Sequence, residues 1–304
     1  MPTPSSSPTS PPLRIAIFGA GKIGSGFAFQ LARAGHHDVT VIARPNSARL
    51  KQLQRDGGIV DIKGERARVE VRDTLDEAAP YDLVIVTLVD HQVDAVLPTL
   101  QRSAAKCIQF MFVTFEPERL EEAVGPERCA FGMPGVMAIF DGDGRLKLTI
   151  GSGGAKTTMS QQRWVDVFNA AGLPSAHEPD MPLWLRCHVP LCVAFESVSV
   201  AGERRLGGAS WREAKITARG VYQGYALIKG LGYQIYPKSK VRLNGLPTFA
   251  LTFMLWMFSR IKSMRVLLAT GENECRALVD AMLAAAPRAR PAVDASRLRA
   301  MKPR

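Results

Sequence analysis

Six residues constrain this chain more than any others: Gly19-Ala20-Gly21-Lys22-Ile23-Gly24. They satisfy G-x-G-x-x-G directly after an apolar run, RIAIF at 14–18, and open a segment in which Ile23, Phe27 and Leu31 recur every four residues. A strand, a tight turn and an amphipathic helix are expected, and HDVTVIAR at 37–44 completes a βαβ unit. Gly19 makes the turn, Gly21 lets a pyrophosphate approach the backbone, and Gly24 brings helix and strand together. The helix amino terminus, with Lys22 and Ile23, then faces the phosphates. The expectation is a dinucleotide site; the bland alternative is a Rossmann domain that no longer binds anything.

Cofactor choice follows from the end of the second strand. A site that prefers NAD carries Asp or Glu there to hold the ribose hydroxyls. Here the strand ends Ile42-Ala43-Arg44, with Ser47 and Arg49 nearby and no acid. Arg44 suits a 2′-phosphate through charge-assisted hydrogen bonds, so NADP(H) is the expected cofactor. A solvated loop arginine is the competing account.

Beyond this unit, strands are expected at 58–62, 66–71, 83–88, 106–112 and 128–135, helices at 90–101 and 116–124, and a hairpin at 137–150 around its Asp-Gly-Asp-Gly turn. Such alternation implies α/β architecture with a mostly parallel sheet. After a helix at 159–170 the character changes, and helical patterns follow at 182–203, 209–231, 248–267 and 271–286. The expected plan is a disordered tail at 1–12, a Rossmann domain at 13–178, an all-helical substrate or dimerisation domain at 179–287, and a solvated basic tail at 288–304. The run TFALTFMLWMF at 248–258 is apolar all round, which implies a helix in the core or one covered by a partner, a homodimer contact being the main competitor. Attachment to a membrane surface ranks lower because the run lacks a basic face of its own.

Several function classes are excluded. The longest near-continuous apolar run, 246–258, is too short for a membrane span. A net charge of +11 invites a nucleic-acid reading, but residues 288–304 hold six cations against one acid with no interleaved aromatic, so no nucleic-acid partner is expected. Five scattered cysteines without a Cys-x-x-Cys pair read as reduced thiols of a cytoplasmic protein. Cys187, His188 and Cys192 cannot converge on one helix face, so no metal is expected. No nucleophile elbow or phosphate-loop lysine occurs, which disfavours hydrolases and NTPases.

The chain resembles the ketopantoate reductase (2-dehydropantoate 2-reductase) family in GAGKIG (19–24), ARPNSARLKQLQRDG (43–57), TLVDHQ (87–92), ERLEEAVGPERCAFGMPG (118–135), WLRCHVPL (184–191), KSM (262–264) and ENECRAL (272–278). The resemblance implies a Rossmann domain followed by a helical domain like the carboxyl-terminal one of 6-phosphogluconate dehydrogenase. It implies cofactor contacts from Leu88 and Gln92, and substrate-side roles for Ser263 and Glu274. The departures are specific. Val89 replaces a family Lys, Val113 lies nearest a nicotinamide-side Asn, and the helix that normally carries Lys and two Asn reads Arg186, Pro190, Ala194. Pro190 is expected to kink or end that helix.

Arg186, where the family has its proton donor, can hold an oxyanion but is a poor acid; a structural ion pair is the equal alternative. His91, after the fifth strand, is a weaker candidate, with Asp90 before it as a helix cap. His188 reads as structural, and Glu196 as a buried acid of unnamed partner. The overall expectation is an NADPH-dependent oxidoreductase of a small carbonyl compound resembling a 2-oxo acid. A catalytically silent NADP(H)-binding sensor is the alternative, supported by the missing Lys and Asn.

Overall fold

The computed structural model describes residues 11–303. Most of the expected amino-terminal tail, residues 1–10, lies outside the described residues, and so does Arg304. The described chain forms two compact units. The first comprises residues up to Leu88, 93–112 and 120–179; the second comprises 89–92, 113–119 and the chain from Asp180 onward.

The strands are β1 (Arg14–Phe18), β2 (Asp38–Ile42), β3 (Ile59–Val60), β4 (Arg66–Ala67), β5 (Glu70–Arg72), β6 (Leu83–Val86), β7 (Ile108–Met111), β8 (Cys129–Met133), β9 (Val136–Phe140), β10 (Leu146–Ile150), β11 (Thr157–Met159) and β12 (Ser175–His177). Helices α1 (Lys22–Arg33), α2 (Ala48–Asp56), α3 (Asp90–Val93), α4 (Leu97–Arg102), α5 (Glu118–Val124) and α6 (Gln162–Ala170) alternate with them. The eight-stranded sheet runs β12-β11-β8-β7-β6-β1-β2-β5, with every neighbouring pair parallel except β8 and β11. This is the N-terminal Rossmann domain of an α/β protein. Its central strands are buried on both faces, which is why LVIV in β6 reads as an unbroken apolar run. Because the chain moves outward from β1 to β5 and then returns to β6 beside β1, a crevice opens at the carboxyl ends of β1 and β6.

Local chemistry explains where the elements depart from the sequence reading. Ser47 caps α2 by accepting from the Leu50 N–H at 3.1 Å, and Gly57 ends it at a φ of +62°. The helix expected at 90–101 is two, because Pro98 in the first turn of α4 has no N–H to continue α3. The strand expected at 66–71 divides: β4 pairs with β3, and β5 joins the main sheet. β11 replaces the start of the helix expected at 159.

The second unit holds α7 (Met181–Arg204), α8 (Trp211–Gly230), α9 (Lys238–Asn244), α10 (Thr248–Phe258), α11 (Lys262–Ala269), α12 (Glu272–Ala285) and α13 (Ala295–Arg299). α7 is the one described helix long and apolar enough to cross a membrane, and most of it is buried in this unit. It continues through Pro190, so the helix does not end there. Gly224 of α8 makes room for the ring, since a β-carbon there would stand 2.8 Å from Pro190 Cγ. The helix expected at 248–267 breaks at Ser259, whose hydroxyl donates to the Trp256 carbonyl at 2.7 Å and accepts from the Ala209 N–H at 2.9 Å. The reading of 248–258 as a core helix is corrected as well: Leu251 and Leu255 are buried, but Phe249, Phe253 and Met257 face solvent.

The basic carboxyl-terminal segment is docked rather than solvated. Asp294 caps α13, Leu298 and Met301 are buried, and Lys302 pairs with Asp280 at 2.5 Å. Gly220 admits Met301, whose Cγ would be 2.1 Å from a β-carbon on that glycine. The charge of the segment concealed these two apolar anchors. Leu298→Ala should therefore cost about 2–4 kcal/mol of unfolding free energy in urea titration. A loss below about 0.5 kcal/mol, the ordinary range for a surface change, would return the segment to solvent.

Candidate active site

The phosphate cradle lies within the first unit. Gly19 has a φ of +114°, and its carbonyl accepts from the Thr87 hydroxyl at 3.0 Å. A β-carbon on Gly24 would stand 2.0 Å from that carbonyl and 2.5 Å from Thr87 Oγ1, so only glycine is tolerated there. Gly21, the amino-terminal cap of α1, has open space where its β-carbon would be, and no side chain caps the helix. With no acid in the first turn, the bare N–H groups after Gly21 and the dipole of α1 suit phosphates. A dinucleotide fits this cradle. Lys22 is exposed at its mouth, Ile23 is half-buried, and Leu88 packs over the turn at 3.2 Å from the β-carbon position of Gly19. Thr87, which the motif reading passed over, is the residue that ties β6 to the glycine turn.

The basic residues beyond β2 separate by role. Arg49 donates to Gln52 Oε1 and the Gly144 carbonyl, both at 2.9 Å, and to Ser25 Oγ at 3.1 Å, so it braces the β9–β10 hairpin. Ser47 is spent on its cap. Arg44 is exposed and makes no ion pair among the described residues.

The second unit gathers the remaining candidates. Arg119 pairs with Asp90 at 2.7 Å and thereby joins the segments 89–92 and 113–119. Arg186, only 4% exposed, donates from Nε to the Phe115 carbonyl at 3.0 Å, pairs with Glu118, and lies 4.0 Å from the Tyr233 ring centroid. The Tyr233 hydroxyl donates to the other oxygen of Glu118 at 3.2 Å. Burial pushes the Glu118 carboxyl up, but the bonds from Arg186, its own backbone and Tyr233 leave it below the usual carboxylate range. This geometry realises the ion-pair alternative for Arg186. Glu118 and Tyr233 had no signal in the sequence beyond being polar, since their partner lies 68 and 47 positions away.

A second cluster surrounds Glu274, in the first turn of α12. Burial, with the charge of Asp90 nearby, raises its carboxyl to about 7. Glu196 of α7 is buried too; burial first and the charge of Glu274 second raise it to about 9. Its Oε1 accepts from the Cys192 thiol at 3.5 Å, and Oε2 has no hydrogen-bond partner among the described residues. The hydrogen-bond partner of Glu196 is thus Cys192, with Glu274 acting on it through charge, and Gly271 leaves room: a β-carbon there would stand 2.9 Å from Glu196 Oε1. Ser263 is exposed and makes no hydrogen bond, and Gln92 and His91 are also exposed. His188 stacks on Trp184 at 4.7 Å, and burial lowers its imidazole to about 3, so it is neutral and structural. Val113 is buried where the family places an Asn. Among the described residues no group of His, Cys, Asp and Glu is arranged to hold a metal.

Fold and cradle together define a Rossmann-type protein with a helical second unit. Residues 15–162 match the model of the family described as ketopantoate reductase PanE/ApbA. The 2-dehydropantoate 2-reductase of Bacillus subtilis (strain 168) is 29% identical over 99 residues, 33% of this chain and 32% of that protein. That of Mesorhizobium japonicum is 34% identical over 87 residues, 28% of this chain and 26% of that protein. Residues 15–162, just under half of the chain, are thus those of a divergent ketopantoate reductase family member, and the stretch matched spans only about a third or less of these curated relatives. A ternary structure of D-mandelate dehydrogenase with NADH and anilino(oxo)acetate shares the fold, with a TM-score of 0.68 at 16% identity over 95% of each chain.

The Glu196 geometry has a consequence for stability. An unfolded carboxyl ionises near 4.5 and the folded one near 9, so the folded protein holds an extra proton between these values and loses stability as pH rises through them. Glu196→Gln cannot ionise and should escape this loss. Between about pH 5 and pH 9 the native protein should lose on the order of 5 kcal/mol more than the variant in urea titrations. Parallel pH profiles would show that Glu196 ionises normally.

Proposed function

We propose that this protein is an NADPH-dependent reductase of a small carbonyl compound of the 2-oxo acid class. The observation that carries the reading is the intact phosphate cradle of a ketopantoate reductase family member, with open space at Gly21 above the bare amino terminus of α1. Arg44, unpaired at the end of β2 where an acid would repel a phosphate, supports NADPH over NADH. The structurally similar D-mandelate dehydrogenase was captured with NADH, so the preference here rests on Arg44. Its companion ligand, an oxoacetate, supports the substrate class.

In this reading a bound dihydronicotinamide supplies hydride to the carbonyl carbon. The carbonyl oxygen then needs a proton that neither Val89 nor Arg186 can give. Glu274 is protonated in about half the molecules near neutral pH and serves as the acid. Burial and the charge of Asp90 keep that proton on Glu274, while Glu196, held neutral up to about 9, leaves Glu274 the first of the two to ionise. Arg186 acts at one remove: it holds the Phe115 carbonyl and Glu118, and so fixes the 113–119 segment. Ser263, exposed and unbonded, is left to contact the substrate. The shifted pair Glu196 and Glu274 favours catalysis over silent cofactor binding, which has no use for a buried acid near neutrality.

NADPH should bind at least about tenfold tighter than NADH, a difference of roughly 1.4 kcal/mol, and Arg44→Ala should erase most of it. Isothermal titration of both cofactors checks this; equal affinities in the unmutated protein would remove the NADPH assignment. Turnover, followed as NADPH oxidation with a panel of 2-oxo acids, should fall as pH rises past about 7 as Glu274 loses its proton. Glu274→Gln should lower kcat about a hundredfold and abolish that limb. A variant that keeps the limb would exclude Glu274 as the acid.

A further inference from the structure

Phe249, Phe253 and Met257 recur every four residues on the outer face of α10 and are 69%, 48% and 45% exposed. Leu246 just before the helix and Ile261 just after it are exposed as well, at 40% and 50%. Trp211, at the start of α8, meets Phe249 at 5.4 Å and Trp256 at 6.1 Å between ring centroids, and Phe253 meets Trp256 at 6.1 Å. Four aromatic rings thus join in one patch beside the aliphatic stripe. Isolated exposed apolar residues need no explanation, but a contiguous patch marks an interaction surface.

The charge around the patch says what covers it. Between residues 204 and 270 the chain carries twelve Arg and Lys and a single acid, Glu213. Arg260 lies 3.5 Å from the Trp256 ring centroid, Lys262 follows Ile261, and Arg212 and Lys215 flank and follow Trp211 on α8; all four are exposed. Glu213 is already engaged by Ser210 and Arg205, so it offers no free negative charge. A second copy of the chain would set this rim against itself, cation facing cation with no acid to answer it. Nucleic acid would answer the charge, yet it gives no apolar medium for Leu246, Met257 and Ile261.

We infer that this face of the helical unit binds the surface of an anionic lipid bilayer. The Phe and Met side chains enter the headgroup and acyl boundary, the Trp rings sit at its edge, and the cations meet lipid phosphates. α10 supplies the apolar stripe, and its neighbours supply the basic face that the run itself lacks. The inference does not depend on which substrate, if any, the protein reduces.

Sedimentation of the full chain with vesicles of phosphatidylcholine alone, or of phosphatidylcholine with phosphatidylglycerol, tests it. At low salt the bound fraction should be at least about tenfold higher on the anionic vesicles and fall with added salt, and tryptophan emission should shift to the blue on binding. The double variant Phe249→Ser, Phe253→Ser should lose binding while keeping its circular dichroism spectrum and Tm. Lys215→Glu with Lys262→Glu, at exposed positions, should lose the preference for anionic vesicles independently. No binding, or equal binding to both vesicle types, overturns the proposal. So does a concentration-dependent dimer that ignores vesicles and dissociates in the Phe variant, which gives the face to a second copy. Binding to duplex DNA in preference to anionic vesicles would likewise overturn it.

Discussion

The carbonyl oxygen of Gly19 occupies space that any side chain on Gly24 would need, and the Thr87 hydroxyl occupies more of it. Because position 24 is bare, α1 starts directly at the crevice rather than standing off from the sheet. Its first-turn N–H groups are then left for a ligand. The same closeness packs Phe27 and Leu31 against the sheet, with Phe168 edge-on to Phe27 at 5.2 Å. Phosphate cradle and domain core are therefore consequences of one contact, and neither can be altered without the other.

The helical unit depends on a comparable economy in α7. Where the resemblance would place a ladder of Lys and two Asn, α7 carries Arg186, Pro190 and Ala194, and its packing suits these residues. Pro190 seats against Gly224, and Arg186, nearly inaccessible to solvent, is satisfied by a carbonyl, a carboxylate and an aromatic face. A buried guanidinium requires such partners, since leaving it unpaired would cost several kcal/mol. Having spent its donors on the 113–119 segment, it is poorly placed to serve a substrate. Burial instead keeps protons on Glu196 and Glu274 that water would remove.

What could be read in the sequence was what local rules govern. The glycine spacing, the four-residue recurrence of Ile23, Phe27 and Leu31, and the unbroken apolar strands reflect steric and burial demands within a few residues, and they led to the Rossmann and helical architecture. The breaks at Pro98 and Ser259 are local too, but their effect depends on whether a neighbour accepts the freed backbone groups. At Pro190 the helix does not end, and the room its ring takes up comes from Gly224, distant in sequence. The site was legible in proportion to how local its parts are. Gly19, Gly21 and Gly24 act through their own backbone, whereas the pairing of Arg186 with Glu118 and the charge coupling of Glu196 to Glu274 join residues 68 and 78 positions apart, with no periodicity to announce them.

Charge shows the same limit from the other side. The net +11 looked half explained by a carboxyl-terminal tail, yet three of that segment's six cations are paired where it docks: Arg288 with Glu116, Arg297 with Asp294 and Lys302 with Asp280. That pairing lowers the segment's contribution to the field without removing it. The residues from 204 to 270 carry twelve cations against one acid, and several of those cations stand exposed beside an apolar stripe. Burial removes neither feature, since folding has already placed both at the surface. An exposed apolar stripe alone is costly in water, and a basic patch alone is ordinary. Their coincidence on one face calls for a counterpart that is both negatively charged and apolar beneath its surface.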